Sequence, residues 1–135
     1  MNYWLVPCNV RVFDIVRHFE KKDVAFFKKN RALSVGDIVY IYVAKPYSAV
    51  KYKGVVIKSV VSPDDIPQEY HPSRLDINTY VEIRKVLVFP DNVFSRVDLM
   101  QNGIGQLVNQ QCISGKTKDY FLSIEEKIRE VMTDA

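Results

Sequence analysis

Hydrophobic and polar positions alternate along much of this chain, and the alternation changes period. Tyr3-Trp4-Leu5-Val6 is aromatic and branched, which predicts a strand starting almost at the first residue and ending at Pro7. Val12, Ile15, Val16 and Phe19 then recur at helical spacing and predict an amphipathic helix that ends near Lys22. Asp14 falls in its first turn, and Lys21 and Lys22 fall in its last, as the helix dipole favours. Asp23 is placed to cap a short second helical turn carrying Phe26 and Phe27.

The strongest strand pattern follows the turn Ser34-Val35-Gly36-Asp37. From Asp37 to Ala44 both faces are apolar or aromatic, as in a strand at the centre of a sheet. Tyr40 and Tyr42 share one face; Val39, Ile41 and Val43 share the other. Lys45 to Tyr52 reads as a connection, and Lys53 to Val61 as the next strand. Ser62 to Thr79, with three prolines, reads as a surface excursion with room for a short helical turn. Tyr80 to Phe89 is a further strand, with Val81, Ile83, Leu87 and Phe89 expected on one face and Glu82 and Arg84 turned away.

Ser95 and Asp98 have capping-box spacing for a short helix that runs to Gly103. Gly105 to Gly115 takes an irregular or short-strand path, and Ser114 to Lys118 reads as a basic turn. Ser123 and Glu126 form a second capping box, opening a helix with Ile124, Ile128 and Val131 as its apolar stripe. Four to six strands with two or three short helices predict an α+β domain: a small, partly closed, twisted β-barrel with short flanking helices. At 135 residues, 1–135 is expected to form a single domain with a core of its own.

Composition narrows the function classes. Apolar residues make up 47% of the chain, which excludes a disordered polymer, and no apolar run reaches the roughly 18 residues of a membrane span. No basic segment precedes a long apolar one, so no secretory signal is visible and a cytoplasmic location is expected. Cys8 and Cys112 lack CxxC spacing, and with only His18 and His71 they form no zinc signature; neither metal nor cofactor is expected. Gly115-Lys116-Thr117 has the tail of a phosphate loop, but Gln110 stands where that motif requires glycine. A basic turn of Lys116, Thr117 and Lys118 touching phosphate stays open, beside a merely solvated turn.

Charge points further. The net charge is only +3, yet Ile38 to Pro63 holds no acidic residue while carrying Lys45, Lys51, Lys53 and Lys58. Four of the eight tyrosines, Tyr40, Tyr42, Tyr47 and Tyr52, lie in the same stretch. Aromatic rings stack on bases, and lysines hold a phosphate backbone. Asn9, Tyr42, Tyr47 and Ser48 have the chemistry to line a base pocket. Lys29, Lys45, Lys51, Lys53 and Lys116 are candidates for phosphate contact. Each tyrosine has an alternative place in the barrel core, and the lysines could simply guard a strand edge.

The order of these segments resembles a known family. Tyr3-Trp4-Leu5-Val6, then Val35-Gly36-Asp37-Ile38-Val39-Tyr40, then Lys53-Gly54-Val55-Val56-Ile57-Lys58, and finally Leu99, Gly103-Ile104 and a closing helix are similar to the EVE domain family of the PUA-like superfamily, related to YTH and ASCH domains. The resemblance covers essentially the whole chain. It implies a PUA-like barrel that reads a modified base of DNA or RNA in a pocket beside it. It also implies that binding involves Pro7-Cys8-Asn9 and Phe26-Phe27-Lys28-Lys29-Asn30, which brings Phe26 into the base-pocket set. Family members often carry tryptophan and an Asn-Tyr or Arg-Asn run in the second segment; this chain has phenylalanines and Asn30-Arg31.

A nucleic-acid reader is thus the first expectation, with DNA or RNA as partner and no membrane. A protein-interaction or regulatory module of the same fold is the second. An enzyme acting on nucleotides or nucleic acid is the third, with no catalytic residue assigned; Asp14, Lys45 and Glu82 are the titratable groups to inspect for it. Oligomeric state is not legible in the sequence.

Overall fold

In the computed structural model, which describes residues 1–71 and 78–134, the alternating runs become one six-stranded mixed sheet. The elements are β1 (Tyr3–Cys8), α1 (Ile15–Lys21), β2 (Val24–Lys28), β3 (Ile38–Val43), β4 (Ala49–Val61), β5 (Tyr80–Val88), α2 (Arg96–Gln101), β6 (Gln111–Ile113) and α3 (Gly115–Asp134). Single 3-10 turns at Pro63–Asp65 and Gln68–Tyr70 follow β4. The strand order is β2-β5-β4-β3-β1-β6, with β1 and β3 parallel and all other pairs antiparallel. The sheet curls through 186° into a half-barrel with short helices at its flanks.

Both sheet faces are covered, and the alternation of β3 divides them. Val39, Ile41 and Val43 pack with Trp4, Val6, Phe27 and Ile83 against Ile15 and Phe19 of α1. Tyr40 and Tyr42 pack with Leu5, Phe89, Phe94 and Leu99 against Phe121 and Ile128 of α3. A third, smaller cluster joins Phe26, Val61, Ile66 and Tyr80. The carboxylate of Asp37 ties the start of β1 to the turn before β3. Its Oδ1 accepts from Asn2 N at 3.0 Å; its Oδ2 accepts from Trp4 Nε1 and Ser34 N, both at 2.9 Å. Asp37 is the third residue of the Val35-Gly36-Asp37 run, so that short sequence signature is a structural knot.

Several expectations are corrected. Phe26 and Phe27 lie in strand β2, not in a helical turn: alternation puts Phe26 in the small cluster and Phe27 in the main one, and pairing with β5 supplies the hydrogen bonds. Val12 precedes α1 and is exposed; Asp14 is the N-cap, its Oδ1 accepting from Arg17 N at 3.2 Å. Strand β4 begins at Ala49 rather than at residue 53, because Ala49 and Val50 pair with Val43 and Tyr42. In β5, Val81 and Ile83 face the α1 side, while Leu87 and Phe89 pack on the α3 side. One extra β5 residue opposite Lys53–Gly54 shifts the register and reverses the phase. At that point the strands approach so closely that a Cβ on Gly54 would lie 2.9 Å from the Arg84 carbonyl oxygen, which excludes a side chain.

Ser95 caps α2 as expected, its Oγ accepting from Asp98 N at 3.2 Å, and the helix ends at Gln101, two residues short of Gly103. The capping box of Ser123 does not form: α3 already begins at Gly115, Ser123 Oγ donates to Tyr120 O within the helix, and Val131 is exposed. The surface excursion from Ser62 to Thr79 contains both 3-10 turns; its residues 72–77 lie outside the described set.

Candidate functional site

Parallel pairing of β1 with β3 brings two chain turns to the same end of the sheet. Cys8 lies beside Val43, and Ala44 N donates to Cys8 O at 3.0 Å. Beyond Cys8 the chain folds over Asn9. Asn9 O accepts from Val12 N and Phe13 N at 3.0 Å each, and Asn9 Oδ1 accepts from Arg11 N at 3.0 Å. This is an Asx turn: a short amide side chain stands in for a backbone carbonyl and stiffens the loop. Across from it, β2 ends at Lys28 and continues into Asn30.

Between these two segments lies a cleft of about 460 Å³. Pro7, Cys8, Asn9 and Phe13 line one side; Phe26, Phe27, Lys28 and Asn30 line the other, and Tyr80, Val108 and Gln110 complete it. Phe13 meets Phe27 edge to face, with ring centroids 6.1 Å apart. The walls thus combine apolar and aromatic side chains with several amides at fixed places.

Gln110 is the residue that sequence reading missed. It is buried, and it stands directly before β6, one edge of the sheet. Its Nε2 donates to Lys28 O at 2.6 Å and its Oε1 accepts from Asn30 N at 3.1 Å. Lys28 ends β2, the opposite edge. One side-chain amide therefore bridges the two open edges of the half-barrel and sets the width of the cleft. Nothing in the local sequence signals this, because its partners are 80 and 82 residues away. Gln110→Ala is expected to lose about 1–3 kcal/mol in urea unfolding, the cost of orphaning buried partners. The Asn30 amide should lose hydrogen-exchange protection while the β3 amides keep theirs. Unchanged protection at Asn30 would show that the clamp is not what holds this edge.

Cys8, which lines the cleft, is a poor nucleophile. Burial first, then the charge of Asp14, pushes the Cys8 thiol up to about 12, so it stays protonated; its Sγ donates to Phe13 O at 3.4 Å. His18 is held below its ordinary value, chiefly by burial. It bonds Val24 O at 2.7 Å and packs edge to face on Phe13 and Tyr70. Among the described residues, no three His, Cys, Asp or Glu side chains are grouped to hold a metal ion.

The structure brings some of the expected site residues together and separates others. Asn9 and Phe26 line the cleft. Asn9 spends its side-chain oxygen on the turn and does not cap α1, a place taken by Asp14. Tyr42 is buried in the α3-side core, so packing claims it. Tyr47 lies outside the cleft in the β3–β4 turn, 39% exposed, with Lys51 Nζ 5.2 Å from its ring centroid. Ser48, also in that turn, has φ of +49° and accepts from Arg96 N through its carbonyl. Tyr47 and Ser48 therefore do not join Asn9 in one pocket.

The lysines divide as well. Lys29 follows the cleft-lining Lys28 and donates through its backbone N to Thr79 O. Lys45 lines a second, open groove with Val10, Arg11 and Pro46. Lys51 is paired with Asp91 at 2.6 Å, and Lys53 is buried against Glu125 at 2.7 Å. Lys45, Lys51 and Lys53 therefore form no continuous positive surface, because Lys53 points into the core under α3. Lys116 lies past Ile113, which pairs with Tyr3, at the opposite end of β1 from the cleft. Asp14 caps α1, Lys45 lies in the groove and Glu82 stands beside Lys58 on β5, so these three do not converge.

The mixed sheet curled into a half-barrel and covered by short helices is a fold that this chain shares with ASCH from Zymomonas mobilis. Solved structures with this fold superpose along nearly the whole chain. A Pseudomonas putida protein matches with a TM-score of 0.63 at 16% identity, over 90% of this chain and 97% of that one. ASCH from Zymomonas mobilis matches with a TM-score of 0.60 at 10% identity, over 90% and 94%. An Agrobacterium tumefaciens protein matches with a TM-score of 0.59 at 14% identity, over 87% and 88%. No family model matches the chain, and no curated protein matches it by sequence. Among the described residues, no helix is long and apolar enough to cross a membrane.

Proposed function

We propose that this chain is an EVE-type member of the PUA-like class and reads nucleic acid by taking one base, modified bases included, into the cleft beside the barrel. The observation that carries this reading is the cleft's construction: Pro7-Cys8-Asn9 and Phe26-Phe27-Lys28 line one concave site. Those are the two segments that the family resemblance implies. A flat, partly polar ligand suits apolar walls with a few fixed amides. Phe13 offers a ring within the cleft, the role first expected of Tyr47. Asn9 Nδ2 offers a donor whose position the Asx turn holds, so little entropy is lost on binding. Gln110 keeps the opposite wall in place.

The test uses two variants and a panel of short modified and unmodified DNA and RNA oligonucleotides. Phe13→Ala is expected to weaken binding by about 1–3 kcal/mol if the ring stacks on a base. Asn9→Ser keeps a side-chain oxygen able to hold Arg11 N and removes the Nδ2 donor without adding charge. It should therefore change discrimination between bases more than overall affinity, with urea stability near wild type. Wild-type-like titrations for both variants would place the binding site elsewhere.

A further inference from the structure

We propose that Arg11 and Lys45 form a phosphate subsite beside the cleft, so that the ligand is a nucleotide unit held by base and phosphate together; this rests on the reading of the cleft as a base pocket. The open groove is lined by Val10, Arg11, Lys45 and Pro46, and Val10 and Arg11 stand in the chain between Asn9 and Val12 of the cleft lining. Asn9 faces the cleft and Arg11 the groove. Two residues apart, their Cα atoms are separated by no more than about 7 Å, the scale of one nucleotide rather than of a duplex. The Asn9 side chain holds the turn between them by accepting from Arg11 N. Lys45 arrives from the other parallel strand, and the bond from Ala44 N to Cys8 O fixes the two turns side by side.

The charges here are available. Arg11 and Lys45 are exposed, and neither forms an ion pair with a described carboxylate, whereas Lys51 and Lys53 are both spent on partners. The nearby carboxylate of Asp14 is directed to its own helix at Arg17 N. A guanidinium fork binds phosphate oxygens in pairs, and an ammonium adds a mobile charge. Val10 and Pro46 add an apolar surface suited to the face of a sugar. Arg11 did not stand out in the sequence, since it lies outside the acid-free stretch.

The experiment maps amide shifts of the ¹⁵N-labelled protein and measures Kd by calorimetry. The probes are the four ribonucleosides, their 5′- and 3′-monophosphates, trinucleotides and inorganic phosphate. The wild type should bind a monophosphate about tenfold more tightly than its nucleoside, a charge-assisted gain that falls with salt. In the Arg11→Ala, Lys45→Ala double variant that advantage should vanish while nucleoside Kd stays unchanged, and Arg11→Lys with Lys45 intact should recover part of it. A larger gain for trinucleotides than for either monophosphate identifies a backbone phosphate; equal gains identify a free nucleotide. An undiminished phosphate advantage in the double variant would overturn the subsite. If monophosphates and inorganic phosphate shift only the Arg11 and Lys45 amides, and nucleosides leave Asn9 and Phe13 unmoved, the base-cleft reading fails and the nucleotide proposal falls with it. No shift from any probe would overturn both.

Discussion

Glu125→Ala is expected to destabilise the domain by about 3–5 kcal/mol, the cost of leaving a buried charge without its partner. Glu125 sits on α3 with its side chain 6% exposed, and Lys53 of β4 reaches it with a side chain 11% exposed. Arg129 approaches the other carboxylate oxygen at 3.4 Å, but it lies largely in solvent and contributes little. Deletion of Glu125 strands the Lys53 ammonium beneath α3, among Tyr40, Phe121 and their neighbours. The pair itself need not be stabilising, since its formation removed two charges from water. The double change Lys53→Met, Glu125→Leu should therefore regain most of the loss, and urea unfolding of the two single variants and the double variant measures the coupling. A Glu125→Ala protein as stable as wild type would mean that Lys53 escapes to water when unpaired.

Asp37→Ala is expected to cost about 3 kcal/mol at neutral pH, because three donors lose one shared acceptor. Trp4 Nε1 is the most deeply buried of them. The effect should depend on pH in a definite direction. Burial, the largest influence, raises the Asp37 carboxyl; the bonds from Asn2, Ser34 and Trp4 and the N-terminal ammonium together outweigh it, so its folded value lies below the ordinary 3.8. A depressed folded value means that the ionised group stabilises the fold above about pH 4 and that this contribution drains away as pH falls through the folded value. Wild type and Asp37→Ala should thus converge in stability below pH 4. A gap that stays constant from pH 7 to pH 3 would assign the loss to packing alone.

These two sites differ in how far the sequence discloses them. Gly36-Asp37 before a strongly alternating strand marks a turn, and an aspartate there is a local matter: Ser34, one of its partners, is three residues away. Glu125 in a charged C-terminal helix reads as one more solvated acid. Only the docking of α3 onto β4 turns it inward, opposite a lysine that reads equally well as surface charge.

What the sequence determined by itself is whatever repeats locally. The two faces of β3, the apolar face of α1 from Ile15 to Phe19, the Ser95 cap and the turn at Gly36 all follow from periodicity and backbone preference over a few residues, whereas Pro7, expected to end the first strand, lies inside β1 opposite Tyr42. The half-barrel class followed from the order of those elements, and the two segments that face each other across the cleft followed from resemblance. The tertiary structure decided the rest. It made Val24–Lys28 a strand, because five residues hold too few periods to choose between helix and sheet until β5 offers hydrogen bonds. It moved Leu87 and Phe89 to the other face through one inserted residue, assigned Tyr42 to the core, separated Tyr47 from Asn9, and used Gln110 to join two sheet edges. Each of these depends on partners brought close by the fold, and pairing energies between residues far apart in the chain, up to 82 positions for Gln110 and Lys28, leave no trace in the local pattern of either partner.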